Sequence, residues 1–157
     1  MAQLDISQLG DDSRIWIFGI SPALDPSRQA RVLEAVDGFL DSWAAHGAPI
    51  VSGRALLHGS FLVIAVDRRS ETSGCSIDRM FGLLQELERD LEIAILDANR
   101  VFVRDDGEAV RALSRADFRK TGSARTVVFD TLAERLVQVR SGEWERSAGS
   151  SWHRALL

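Results

Sequence analysis

Ile50-Val51-Ser52-Gly53-Arg54-Ala55-Leu56-Leu57-His58-Gly59-Ser60-Phe61-Leu62-Val63-Ile64-Ala65-Val66-Asp67 is the stretch on which the fold turns. Two runs rich in apolar and β-branched residues, Ile50 to Leu57 and Ser60 to Asp67, flank the dipeptide His58-Gly59. Such a break between strand-like runs predicts a β-hairpin. A hairpin makes its two strands antiparallel neighbours, so the elements on either side must supply the rest of the sheet and its cover.

Upstream, Arg14-Ile15-Trp16-Ile17-Phe18-Gly19 reads as a strand. Asp25-Pro26 then supplies an N-cap with Pro at the first helical position. Val32, Leu33, Val36, Phe39, Leu40 and Trp43 recur at helical spacing, with Gly47 as the stop and Pro49 preventing a restart. Downstream, Ile77, Met80, Phe81, Leu84, Leu87 and Leu91 form the apolar stripe of a second amphipathic helix. Val101-Phe102-Val103 follows as a fourth strand, Asp106-Gly107 as a turn and Ala109 to Leu113 as a fifth strand. Ser114-Arg115-Ala116-Asp117 opens a short helix near Phe118, Thr126 to Phe129 reads as a sixth strand, and Leu132 to Val139 as a further helix.

The order strand, helix, strand, strand, helix, strand predicts an α+β domain of ferredoxin-like, split βαβ (βαββαβ) arrangement, with helices on one face and a C-terminal extension of about 55 residues. The open sheet face is then left to that extension or to a second copy in a homodimer. Residues 1–13 read as an N-terminal arm, 14–146 as one α+β domain, and 147–157 as a Gly/Ser spacer leading to a docking segment, because Trp152-His153-Arg154-Ala155-Leu156-Leu157 is too apolar for a free tail.

The 157 residues suffice for one domain with a continuous core. A composition 45% hydrophobic and 27% charged with a net charge of −4 is that of a folded soluble protein. The negative charge and the absence of a basic run make nucleic-acid binding an unfavoured reading. The strand aromatics Trp16, Phe18, Phe61 and Phe102 therefore read as core rather than as base-stacking platforms. The apolar run Phe61 to Val66 is too short to span a membrane. With one cysteine and no leader-like start, a cytoplasmic location is expected.

Chemistry, if any, gathers around Ser73-Gly74-Cys75-Ser76-Ile77-Asp78, where the lone cysteine stands among small polar residues at a helix start. Two readings are open. With Ser76 as N-cap, Cys75 precedes the cap and staples hydrophobically to Met80. Alternatively, Cys75 is a nucleophile activated by the helix start, with His46 or His153 as base and the backbone N–H groups of Ser76 and Ile77 as oxyanion donors for acyl or thiol transfer. His46 is the nearer partner because it continues the Trp43 stripe at the end of the first helix, while Asp78 opposes thiolate formation.

The pocket so assembled has Cys75, His46 and His153 as candidate catalytic residues, and Trp43, Ser73, Gly74, Ser76, Asp78 and Trp152 as ligand-binding ones. A small anionic ligand is the expected occupant. No cofactor is implied, and the Cys and His spacing lacks a zinc motif. His58 reads as exposed.

Trp43-Ala44-Ala45-His46-Gly47, Ala65-Val66-Asp67, Ser73 to Asp78, Val128-Phe129-Asp130 and Ser151-Trp152-His153 together resemble an uncharacterised bacterial family of Bacteroidetes type, often labelled "ABC transporter ATPase". The resemblance runs from Arg14 to the C-terminus and implies only that these motifs belong together. An ATPase of that class needs a glycine-rich phosphate loop. Ser114 to Thr121 ends in Lys120-Thr121 but has Ser114 and Arg119 where glycines are required.

Overall fold

The computed structural model describes residues 3–157, and it is built as four layers around three apolar clusters. In chain order the elements are β1 (Arg14–Gly19), α1 (Pro26–Ser42), the two-residue strands β2 (Ala44–Ala45) and β3 (Ala48–Pro49), β4 (Ser52–Leu57), β5 (Phe61–Val66) and α2 (Gly74–Leu91). Then come β6 (Arg100–Arg104), β7 (Val110–Ser114), α3 (Arg115–Thr121), β8 (Val127–Phe129), α4 (Leu136–Arg140) and β9 (Glu145–Ser147), with a closing 3-10 turn at Trp152–Leu156.

The expected hairpin forms. β4 pairs antiparallel with β5, Leu57 opposite Phe61, and His58 and Gly59 both take positive φ, 55° and 63°, as a primed turn requires. β1 adds to the other side of β5, giving the antiparallel order β1-β5-β4. Even-numbered residues of the two longer-paired strands, Phe18, Leu62, Ile64 and Val66, face α1 and α2 through Val32, Val36, Leu40, Met80, Leu84 and Leu91. Both long helices therefore lie on one face.

The fourth strand does not join this sheet. β6 pairs with β7 and β8, and β8 with β9, in a second antiparallel sheet ordered β7-β6-β8-β9. The hydrogen bonds thus show an α+β fold with two main antiparallel sheets beside the small β2–β3 pair, and β6 does not join β1, β5 and β4 as a four-stranded ferredoxin-like sheet requires. Two packing facts account for this. All three central residues of β6 are buried, so the strand needs cover on both faces. The outer edge of β1 is also occupied at both ends: the Ile15 N–H donates to Glu134 O at 3.0 Å, and Ser21 and Ala94 exchange backbone bonds of 2.9 and 2.8 Å.

The second sheet lies face to face on the first. Phe102, Phe129 and Trp144 surround Phe61, with ring centroids 4.9 to 5.1 Å from it. Phe102 comes so close to β1 that a Cβ on Gly19 would lie 2.1 Å from the ring. The sheet face left open by sequence reasoning is covered by the C-terminal extension, without a second copy. β5, covered on both sides, is buried at all six residues, the physical reason for its unbroken apolar run. The outer face of the second sheet packs Val101, Val103 and Val128 on Phe118 of α3 and on Leu156 of the C-terminal segment.

Residues 3–13 are part of the fold rather than a free arm; Met1 and Ala2 lie outside the described residues. The Leu4 N–H donates to Ser52 O at 2.7 Å, and Leu9 is buried between the layers. The close approach depends on Gly53, where a Cβ would lie 2.9 Å from Leu4 O. The helix expected over Leu132 to Val139 is confined to α4, leaving Leu132 64% exposed. Among the described residues, no helix is long and apolar enough to cross a membrane.

Candidate functional site

The start of α2 is a closed capping unit. Ser73, not Ser76, is the N-cap: its Oγ accepts the Ser76 N–H at 3.1 Å, and Ser76 Oγ accepts the Ser73 N–H at 2.7 Å. The reciprocal pattern satisfies two backbone donors. Ser76 is buried, and its carbonyl accepts the indole N–H of Trp43 at 2.8 Å, tying the end of α1 to the start of α2. Trp43, Ser73 and Ser76 are thus brought together, as a structural joint.

Gly74, Cys75 and Asp78 fall on the outer side of that turn and are exposed. Cys75 is the second helical residue, so it neither precedes the cap nor staples to Met80, which is fully buried. Its sulfur has no hydrogen-bond partner among the described residues.

His46 is not on a helix. α1 ends at Ser42 with Trp43 as C-cap, and His46-Gly47 forms the tip of the β2–β3 hairpin with φ of 52° and 74°, exposed to solvent. Gly47 was expected to end the helix. Both a helix stop and a primed turn need positive φ, so the residue type does not distinguish them.

His153 is 1% exposed on the far side of the second sheet, stacked on Trp152 at 3.9 Å and edge-on to Phe118 at 6.2 Å. It shares a 2.7 Å hydrogen bond with Ser151 Oγ. Burial pushes its imidazole down to about 4; the Arg115 charge adds to this and Asp130 opposes it. Two sheets separate this histidine's layer from the helical layer that carries Cys75. The expected Cys75, His46 and His153 constellation is not assembled. No group of three or more His, Cys, Asp or Glu suited to a metal occurs among the described residues.

The structure instead places Trp152 on the wall of a groove of about 750 Å³ between the edge of β1 and the C-terminal segment. Phe18, Phe81, Phe102, Leu132, Trp152 and Leu156 supply apolar surface. Three charged side chains also line it: Arg100, Arg115 and Asp97. Arg100 Nε lies 3.0 Å from Asp97 Oδ2 but off the line of a hydrogen bond, so that pair is held by charge alone. Arg115 spends one N–H on Ala98 O at 3.1 Å, and its guanidinium carbon lies 5.8 Å from the Trp152 ring centroid. Among the described residues it has no carboxylate partner, which leaves the groove lining one positive charge in excess.

Trp152 is held in turn: its indole N–H donates to Asp130 Oδ1 at 3.1 Å, and that oxygen also accepts the Leu132 N–H at 3.0 Å. A second hollow, about 500 Å³, runs along Gln3 to Ile6 and Arg54 to Leu56. Among the described residues its one cation is Arg54, which is already matched by two hydrogen bonds to Asp37 at 2.8 and 2.9 Å.

Of the sequence candidates, only Trp152 reaches the groove. Arg100, Arg115, Phe81 and Leu132 were missed. The available signal was a tryptophan in a segment expected to dock. Comparison of the chain with protein-family models, curated proteins and solved structures returns no match.

Proposed function

We propose that this is a ligand-binding protein whose site is the groove beside Trp152, and that the ligand has an apolar body and one anionic group. The observation that carries the reading is the groove itself: about 750 Å³, walled by aromatic and aliphatic side chains and holding a guanidinium that has no carboxylate partner among the described residues. Sites for small molecules have this composition, apolar walls with a few placed polar groups. With its Nε–H given to Ala98 O, the planar guanidinium keeps the edge formed by its two Nη groups, which suits a carboxylate or similar anion. The thiol-transfer reading lacks a base beside Cys75, because His46 stands at a hairpin tip and His153 is enclosed behind the second sheet.

Titration with anilinonaphthalene sulfonate, followed by competition with decanoate, tests this. Saturable one-to-one fluorescence enhancement that decanoate reverses is expected. Arg115→Ala should weaken both ligands about tenfold, the loss of one charge-assisted hydrogen bond. Leu132→Glu should weaken them further by placing a negative charge at the mouth. Non-saturable enhancement that neither substitution alters would remove the groove as the site.

A further inference from the structure

The groove also runs along a stretch of strand edge, at Ile17 and Gly19. Along β1, the residues of even number direct their N–H and C=O groups at β5, as Ile20 N–H does toward Ser60 O at 2.7 Å. Those of odd number point to the outer edge: Ile15 N–H meets Glu134 O, and Ser21 pairs with Ala94. Ile17 and Gly19 lie between these two anchor points. Their outward N–H and C=O groups have no backbone or side-chain partner among the described residues, and both residues line the groove. Gly19 has no side chain to screen its amide. An unpaired strand edge of this kind is a template for an added strand.

We infer that the ligand of the groove is a short extended peptide with apolar side chains and a free C-terminal carboxylate. It adds as a strand to the Ile17–Gly19 edge of β1 with its carboxylate at Arg115. The inference rests on the groove being the ligand site and names the class of ligand. Three features converge on this occupant. The gap offers two donors and two acceptors at the spacing of alternate strand residues. The walls on either side are apolar, as alternate side chains of an inserted strand require. The excess charge is positive and sits on a guanidinium, which matches a terminal carboxylate, while Asp97 and Arg100 already answer each other. An organic anion such as a fatty acid would satisfy the walls and the charge but leave the four backbone groups unpaired.

The test uses the full chain and a pool of N-acetylated pentapeptides built from Val, Ile, Leu and Thr with free carboxyl ends. Amide hydrogen exchange at Ile17 and Gly19, followed by NMR, reads backbone pairing directly. The pool should raise protection of both amides by about tenfold or more, leaving Trp16 and Phe18 unchanged. Amidating the carboxyl end, or Arg115→Ala, should weaken binding about tenfold. Backbone N-methylation at alternate residues should abolish binding in one phase and spare it in the other, because only every second N–H of an added strand faces β1.

The inference is overturned if the amidated pool binds equally well, if both methylation phases behave alike, or if Ile17 and Gly19 stay unprotected. It also fails if these two amides are already protected in the free protein in a concentration-dependent way, which would mean a second copy occupies the edge. Should decanoate bind while the pool does not, the peptide assignment alone falls. Should neither bind, the groove fails as a ligand site altogether.

Discussion

Acidification should destabilise this fold through one buried imidazole. His153 is enclosed by Trp152, Phe118 and Ser151, with Asp130 and Arg115 the charged groups that face it. Burial lowers its folded-state value from 6.5 to about 4. Between those values the unfolded chain binds a proton that the folded chain refuses, so stability falls as pH falls, at up to about 1.4 kcal/mol per pH unit. The contribution is whole above the unfolded value near 6.5 and is lost by about pH 4, for a total of about 3 kcal/mol.

Carboxylates do not obscure the upper part of this window. Hydrogen bonds from Arg54 and Arg104 hold Asp37 and Glu145 below their ordinary values, so those pairs begin to fail only at lower pH. Urea denaturation between about pH 7 and about pH 5 should therefore show a loss of about 2 kcal/mol, and His153→Gln should flatten the slope in that interval. A direct NMR titration of the His153 ring in the folded protein guards against a variant that does not fold. An unchanged slope in the variant, or a ring that titrates near its ordinary value, would refute the reasoning.

Two further outcomes are expected. Gly19→Ala should destabilise by roughly 1–3 kcal/mol, since the new methyl overlaps the Phe102 ring, and Phe102→Leu in the same chain should restore part of the loss; thermal melts of the single and double variants decide it. Cys75→Ser should leave stability within about 0.5 kcal/mol, and native protein should react with a thiol reagent as completely as unfolded protein; a thiol that resists modification until denaturation would contradict its exposed position.

Much of the fold was legible because its signals act within a few residues. The His58-Gly59 hairpin, the Asp25-Pro26 helix start, the Ser114 cap and the apolar stripe of α2 all appear where the spacing places them. The site was less legible. Ser73 and Ser76 both suit an N-cap, and only the reciprocal hydrogen bonds assign the cap to Ser73. His46-Gly47 reads equally as a helix end or a hairpin tip, since both place residues in the left-handed region.

By itself the sequence determined an α+β protein with both long helices on one face of an antiparallel sheet, and a docked C-terminus, because periodicity and capping are local properties. Tertiary packing alone decided that β6 would found a second sheet. The clustering of Phe102, Phe129 and Trp144 on Phe61 across the stacked faces takes the place of hydrogen bonds to β1. That same choice leaves Ile17 and Gly19 unpaired and opens the groove beside Trp152, formed by segments from β1 to the C-terminal turn that no local pattern could have joined.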